Sequence, residues 1–313
     1  MILGFVATLA SVLFAASGIK GDLAQAMGNL DYAIALAQFN PHEAVDMDKV
    51  MDALHKKANG ESLTGKERVL LERLNLDKFK PDKLEDYVIP NLSLDAESGR
   101  LVLTLTDRSV NLAGLFVHPE EITSFADLGV VINPQNIPTG YVSAWFANAA
   151  FSGLTTLDGL ENLSRYVSPS TFKNYTSLVD ASAFDFSGAN GSASNFFQGC
   201  TSLTTVSDNL DTSKVNATYL MFDGCTNLTS VPTLDLGSIN REIDMGGMFQ
   251  GCSSLQSVSF TNVSSAADNV LSRLETGNKN DWARNSGITT VTWTTKEGVQ
   301  KQWTQSGGLV TLP

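Results

Sequence analysis

Phe197-Gln-Gly-Cys-Thr-Ser-Leu-Thr-Thr-Val206 is followed by Phe222-Asp-Gly-Cys-Thr-Asn-Leu-Thr-Ser-Val231 and then by Phe249-Gln-Gly-Cys-Ser-Ser-Leu-Gln-Ser-Val258. The three phenylalanines lie 25 and 27 residues apart. Self-similarity at such a period is the mark of stacked repeats, each burying its apolar side against its neighbours. The pattern extends upstream through Phe172-Lys-Asn-Tyr-Thr-Ser-Leu178, with Tyr175 at the cysteine position, and through Phe146 to Leu154 with two extra residues. Downstream, Trp282-Ala-Arg-Asn-Ser-Gly-Ile288-Thr-Thr-Val291 keeps the large–small–aliphatic spacing with Trp in place of Phe. This makes about six units over residues 143–295, the last atypical, as an end unit must be.

Spacing assigns a role to each position. Phe172, Phe197, Phe222, Phe249 and Trp282 are expected to fill the space between layers and to stack on one another. The glycine two residues after each Phe of the three best copies gives a turn with free backbone angles. Cys200, Cys225 and Cys252 would form a column of small buried hydrophobes. Leu178, Leu203, Leu228, Leu255 and Ile288 would line a continuous core, with Val206, Val231 and Val258 entering short strands. Leu210-Asp-Thr-Ser-Lys-Val215 and Leu234-Asp-Leu-Gly-Ser-Ile239 share a Leu-Asp start and read as the second side of each coil. An odd count of three cysteines at repeat spacing is a poor disulfide framework.

Met221-Phe-Asp-Gly-Cys-Thr-Asn-Leu-Thr-Ser-Val-Pro232, preceded by Leu-Asp-Thr-Ser-Lys-Val215, resembles the BspA-like leucine-rich repeat. The resemblance covers about half the chain and is strongest over residues 197–258. It implies a curved solenoid used for adhesion or recognition, with no shared catalytic residues. The first 140 residues do not resemble that family's usual secreted architecture, and no lipobox cysteine lies near the N-terminus, since the first cysteine is Cys200.

Met1 to Ile19 carries no charge. A secretory signal would need a basic stretch before its apolar core, and none precedes Lys20. A membrane span needs about 20 apolar residues, and this run is only just long enough. The third reading is a packed oligomerisation or anchor helix, retained rather than cleaved. Leu9, Leu13 and Ala16 continue, after an interruption at Lys20, into Leu23, Met27, Leu30, Ile34 and Ala37, alternating steps of three and four as a coiled-coil seam does.

Beyond Pro41, residues 42–58 read as a helix with Ala44, Val45, Val50, Met51 and Leu54 inward. Thr64-Gly-Lys-Glu67 is a capping box opening a second helix to about Leu76, with Val69, Leu70, Leu71 and Leu74 inward. Residues 78–86 form a charged connector. From Val88 the period becomes two: Leu92 and Leu94, then Leu101, Leu103 and Leu105, around Glu97-Ser-Gly99, read as a hairpin. Residues 110–117 are expected to form a further strand, and 129–140, with Pro134 and Pro138, a loop. The expected fold class is α+β: N-terminal helices, a small β segment and a C-terminal leucine-rich-repeat solenoid. The corresponding segments are 1–40, an anchor or oligomerisation helix; 41–86, a helical hairpin; 87–142, a small β-rich linker; and 143–313, the solenoid with its cap.

Charged residues are only 17% of the chain and the net charge is −12. No basic patch appears, which argues against nucleic acid, and the acidic balance disfavours anionic membranes. His42, His55 and His118 have no partner at metal-ligand spacing, and no nucleophile elbow or phosphate loop is present. Asp185, Asp211 and Asp235 recur at repeat spacing, where an Asp caps a turn or, alternatively, binds calcium or sugar. No catalytic residue, cofactor or metal is expected. Two functional readings follow. The first is a phage virion fibre or decoration protein on the particle surface, self-associated as a trimer, joined to other virion proteins through the N-terminal helix and touching a host-surface glycan or protein. The second is a bacterial cell-surface adhesin held by residues 1–19. A glycan-degrading spike is a third, needing clustered carboxylates in a groove.

Overall fold

A helix N-terminus leaves backbone N–H groups without intrahelical partners, and Asp46 and Thr64 each supply the missing acceptor. A computed structural model describes residues 20–313 other than 42, 108, 139–141, 167, 185 and 277–281. The segment 1–19, with Leu9, Leu13 and Ala16 of the expected seam, lies outside the described residues, as do His42 and Asp185. Two compact units result, one taking in the described residues up to Leu103 with Leu115–Val117, the other residues Thr104–Gly114 and His118–Pro313.

The first unit holds α1 (Lys20–Ala37), α2 (Met47–Ala58) and α3 (Gly65–Arg73). At α2 the Asp46 carboxylate accepts from Lys49 N, so the helix starts at Met47, leaving Ala44 and Val45 in front of it. At α3 the Thr64 hydroxyl accepts from Glu67 N at 3.3 Å while the Glu67 carboxylate accepts from Thr64 N at 2.8 Å. Val50, Ala53, Leu54, Val69 and Leu71 are buried by these helices. α1 lies against α3 at backbone contact: the Asp31 carboxylate accepts from Gly65 N, and Arg68 donates to the Gly28 carbonyl. The charged stretch after α3 is not a bare connector. It coils through short helical turns at Leu76–Lys78, Pro81–Lys83 and Leu84–Val88, because Leu76, Phe79, Leu84 and Val88 supply apolar positions that bury completely. Phe79 meets Phe116 with ring centroids 4.6 Å apart. The hairpin pairs β1 (Leu92–Leu94) antiparallel with β2 (Leu101–Leu105), Leu92 opposite Leu103, and the Asp95 carboxylate closes its turn by accepting from Glu97 N.

Two expectations between the hairpin and the repeats are corrected. Residues 110–117 form no strand: Leu112, Leu115 and Phe116 bury at helical spacing around a 3₁₀ turn at Ala113–Leu115. Conversely β3 (Val130–Pro134) is a strand, with Val130 and Ile132 inward at period two despite its proline.

The expected fold class is also corrected. The chain is mixed α/β, with seven helices among the described residues and several small sheets, none of them closed and none a solenoid. β4 (Asp180–Ala181) pairs parallel with β6 (Thr205–Val206) and is bridged on its other side by Thr156, and β5 (Gly191–Ser192) pairs parallel with β7 (Val215–Ala217). β8 (Leu234–Asp235), β9 (Ser257–Val263), β10 (Thr290–Thr295), β11 (Gln300–Thr304) and β12 (Gly308–Thr311) make one five-stranded sheet in the order 12-11-10-9-8. It is parallel from β8 to β10 and antiparallel from β10 to β12. A helix, α4 (Ser265–Ser272), follows β9. The copies do not share one sheet because the second carries Pro232 straight after Val231. Proline has no N–H for a ladder, and residues 228–233 form no strand between β6 and β9.

Gly65 sits where a Cβ would run into the backbone of Asp31 and Tyr32. Gly65→Ala is therefore expected to cost about 2 kcal/mol, as overpacking against unyielding backbone does. Thr64→Ala should cost about 1 kcal/mol through the lost cap. Chemical denaturation of the two variants against the parent measures both.

Candidate functional site

The repeated turns account for their backbone groups in two alternating directions. Phe196, Gln198, Cys200 and Leu203 N–H each donate three residues back within their own turn, and Met221, Asp223, Cys225 and Leu228 do the same in the next copy. The intervening residues donate to the following copy: Asn195 N to Tyr219 O, Phe197 N to Met221 O and Gly199 N to Asp223 O, at 2.7–2.9 Å. Leu220, Phe222 and Gly224 N likewise reach Gly246, Met248 and Gln250 O. The alternation requires positive φ two residues before and two after each Phe. Gly224 (φ 75°) meets that requirement freely, whereas Leu220 (φ 54°) adopts a conformation that costs a side-chain-bearing residue about 1–2 kcal/mol.

Inside this frame the phenyl rings stack. Phe172–Phe197, Phe197–Phe222 and Phe222–Phe249 lie 6.0, 5.7 and 5.4 Å apart, within 20° of parallel. Trp282 ends the column edge-on to Phe249. Leu178, Leu203, Leu228, Leu255 and Ile288 are fully buried beside it. The cysteines are buried free thiols, and each donates to the carbonyl of the Phe in the preceding copy: Cys200 to Phe172, Cys225 to Phe197 and Cys252 to Phe222, at 3.0–3.2 Å. Tyr175 does the same from its longer side chain, donating to Phe146 O at 3.0 Å. Burial pushes the Cys200 and Cys252 thiols up to about 12 and raises that of Cys225 well above its ordinary value. These are packing groups, far from the thiolate that nucleophilic or metal chemistry needs.

Asp211 and Asp235 cap turns, accepting from Ser213 N at 2.9 Å and Gly237 N at 2.7 Å. His55 pairs with Glu85 at 2.8 Å and His118 with Glu120 at 3.2 Å, all four half-exposed. Among the described residues no group of three or more His, Cys, Asp or Glu could hold a metal ion.

The residues that line a groove come from between the turns. Ser192 and Ser194, Asn216 and Ala217, and Asn240, Arg241 and Asp244 contribute from three successive copies to an open depression of about 390 Å³. Arg241 grips Asp244 through Nε–Oδ2 at 2.9 Å and a terminal nitrogen to Oδ1 at 2.6 Å. Asp244 is nearly buried while Arg241 is largely exposed. The Asp244 carbonyl is itself held by Thr218 N at 2.7 Å, so the pair is anchored to the turn before it. Ser192 donates to Ser194 Oγ at 2.8 Å. The Asn216 and Asn240 carboxamides are exposed. The groove thus offers hydroxyls, two carboxamides and a charge-compensated guanidinium. The repeat pattern does not reveal it, because none of these residues belongs to the repeated sentence. The one sequence signal was the 27-residue interval, two longer than its neighbour, which contains Arg241 and Asp244.

No family model, no curated protein and no solved structure matches this chain. The likeness to BspA-like repeats therefore rests on the residues quoted for it.

Phe222→Ala should destabilise by about 3–5 kcal/mol, the range for a buried aromatic, in a denaturant titration. The thiols predict an alkaline effect. Their folded pKa values lie above the 9.0 of a free thiol, so their contribution is intact below that pH and is lost as pH rises from about 9 towards about 12. Melting curves of the parent should therefore fall more steeply across this window than those of a Cys200→Ala/Cys225→Ala/Cys252→Ala variant, and native thiols should resist aromatic disulfide reagents until the chain unfolds.

Proposed function

We propose that this chain is a non-enzymatic recognition protein of a virion exterior, a phage fibre or decoration protein whose groove at Ser192, Asn216, Asn240 and Arg241 takes a neutral glycan of a host surface. The observation that carries the reading is the division of labour within the repeats. The recurring Phe, Gly, Cys and Leu are spent on stacking, turning and core. Ser192, Asn216, Asn240 and Arg241, all outside the repeated sentence, line one open depression.

Chemistry favours a neutral polyhydroxyl ligand. Carboxamides and hydroxyls both donate and accept, which suits sugar hydroxyls that do the same. The guanidinium is already neutralised by Asp244, and the chain carries a net charge of −12, which opposes anionic sugars at long range. Among the described residues no helix is long and apolar enough to cross a membrane.

The test is binding of neutral and of sulfated or sialylated oligosaccharides, read by titration calorimetry on the parent and on an Asn216→Ala/Asn240→Ala variant. We expect measurable affinity for a neutral glycan alone, weakened at least about tenfold in the variant with an unchanged melting curve, as two lost hydrogen-bonding groups imply. Absence of any neutral-glycan binding, or equal binding by the variant, refutes the assignment. Immunolabelling of purified particles tests the location separately.

A further inference from the structure

α1 turns its small and polar side towards α3 and leaves an apolar side bare. Gly28, Asp31, Tyr32 and Ala35 meet α3: Gly28 O and Asp31 take the contacts already described, Tyr32 reaches Glu72 and is covered by the Arg68 guanidinium, and Ala35 is buried. Around the helix from these, Met27 is 59% and Ile34 38% exposed, Leu30 is half-buried and Ala37 is exposed. An amphipathic helix of a self-sufficient unit does the reverse.

Met27, Leu30, Ile34 and Ala37 are positions of the heptad. In sequence they step by three, four and three, and the same register runs back through Leu23, Lys20, Ala16, Leu13 and Leu9. We propose that this seam is covered by the same seam of a second copy of the chain, forming a helical self-association interface. Three observations favour a like partner. A heptad seam packs against another heptad seam, the knobs of one helix entering holes on the other, and the chain's own seam, with Met and Ile alternating with Leu and Ala, is such a surface. The flanking positions Ala24, Ala26, Asp31, Ala33 and Gln38 carry a single charge, and Asp31 is already engaged with Gly65, so the flanks of an identical helix offer little like-charge repulsion. Lys20 is the one charged seam residue, the kind of isolated polar position that holds a coiled coil in register.

This inference is independent of the groove and its ligand. It is tested by sedimentation velocity of the full chain at micromolar concentrations, with three variants. The parent is expected to sediment as an oligomer. Met27→Asp and Ile34→Asp should each raise the dissociation constant at least about a hundredfold, because each would bury a carboxylate in the seam. Leu36→Asp, at a position 52% exposed but off the seam, should leave association unchanged. All four should melt alike by circular dichroism when dilute, since the substituted side chains are exposed in the single chain. A monomeric parent overturns the proposal, whether because the seam is covered by residues 1–19 of the same chain or by nothing. So does an oligomer that survives both seam substitutions, or one that Leu36→Asp disrupts equally.

Discussion

With Phe222 and Phe249 face to face at 5.4 Å, little more than the spacing of adjacent strands, neighbouring turns must bond to each other directly, with no side chain between their backbones. The remaining choices follow from that closeness. Half of the N–H groups leave the turn for the next copy, so the others must close it locally, and the chain must reverse its handedness twice to do both. Gly224 (φ 75°) and Gly251 (φ 74°) supply the second of those reversals in their copies. A thiol fits beside the rings and still reaches the carbonyl of the previous copy. In the earlier copy Tyr175 takes over that bond.

The same frame explains where variation can enter. Phe197 N bonds a residue 24 positions on, whereas Phe222 N bonds one 26 positions on. The two additional residues are absorbed before the third turn, in the stretch that contains the 3₁₀ turn Glu242–Met245. That turn carries Asp244, whose carbonyl bonds Thr218 and whose carboxylate orients Arg241. One wall of the groove is therefore an insertion in the repeat, held in place by the repeat.

What was legible in the sequence was whatever recurs or alternates. The Phe, Cys and Leu positions, the capping box at Thr64 and the leucine hairpin could be placed from spacing alone, because each depends on neighbours at fixed offsets. The same recurrence does not by itself make a solenoid. Stacked turns do not oblige the intervening segments to share a sheet, and Pro232 removes the donor that sharing would need. β3 is hard to read from sequence because Pro134 and Pro138 mask the alternation of Val130 and Ile132. The strand expected at 110–117 took three apolar residues at helical spacing for a continuous run. The groove was illegible because it joins residues from three copies that match no pattern, and only their three-dimensional register puts Ser192, Asn216 and Arg241 side by side.

The forward-pointing hydrogen bonds have a consequence for how such a chain can change its length. A copy that gives donors to its successor and acceptors to its predecessor is its own complement. Duplicating or deleting a whole copy by unequal recombination would leave the same number of unpaired groups, all at the two ends. In the hydrogen bonds between turns, at least, the gain or loss of a copy leaves the pairing scheme the same. New grooves could then arise from short insertions between copies, leaving the inherited core untouched.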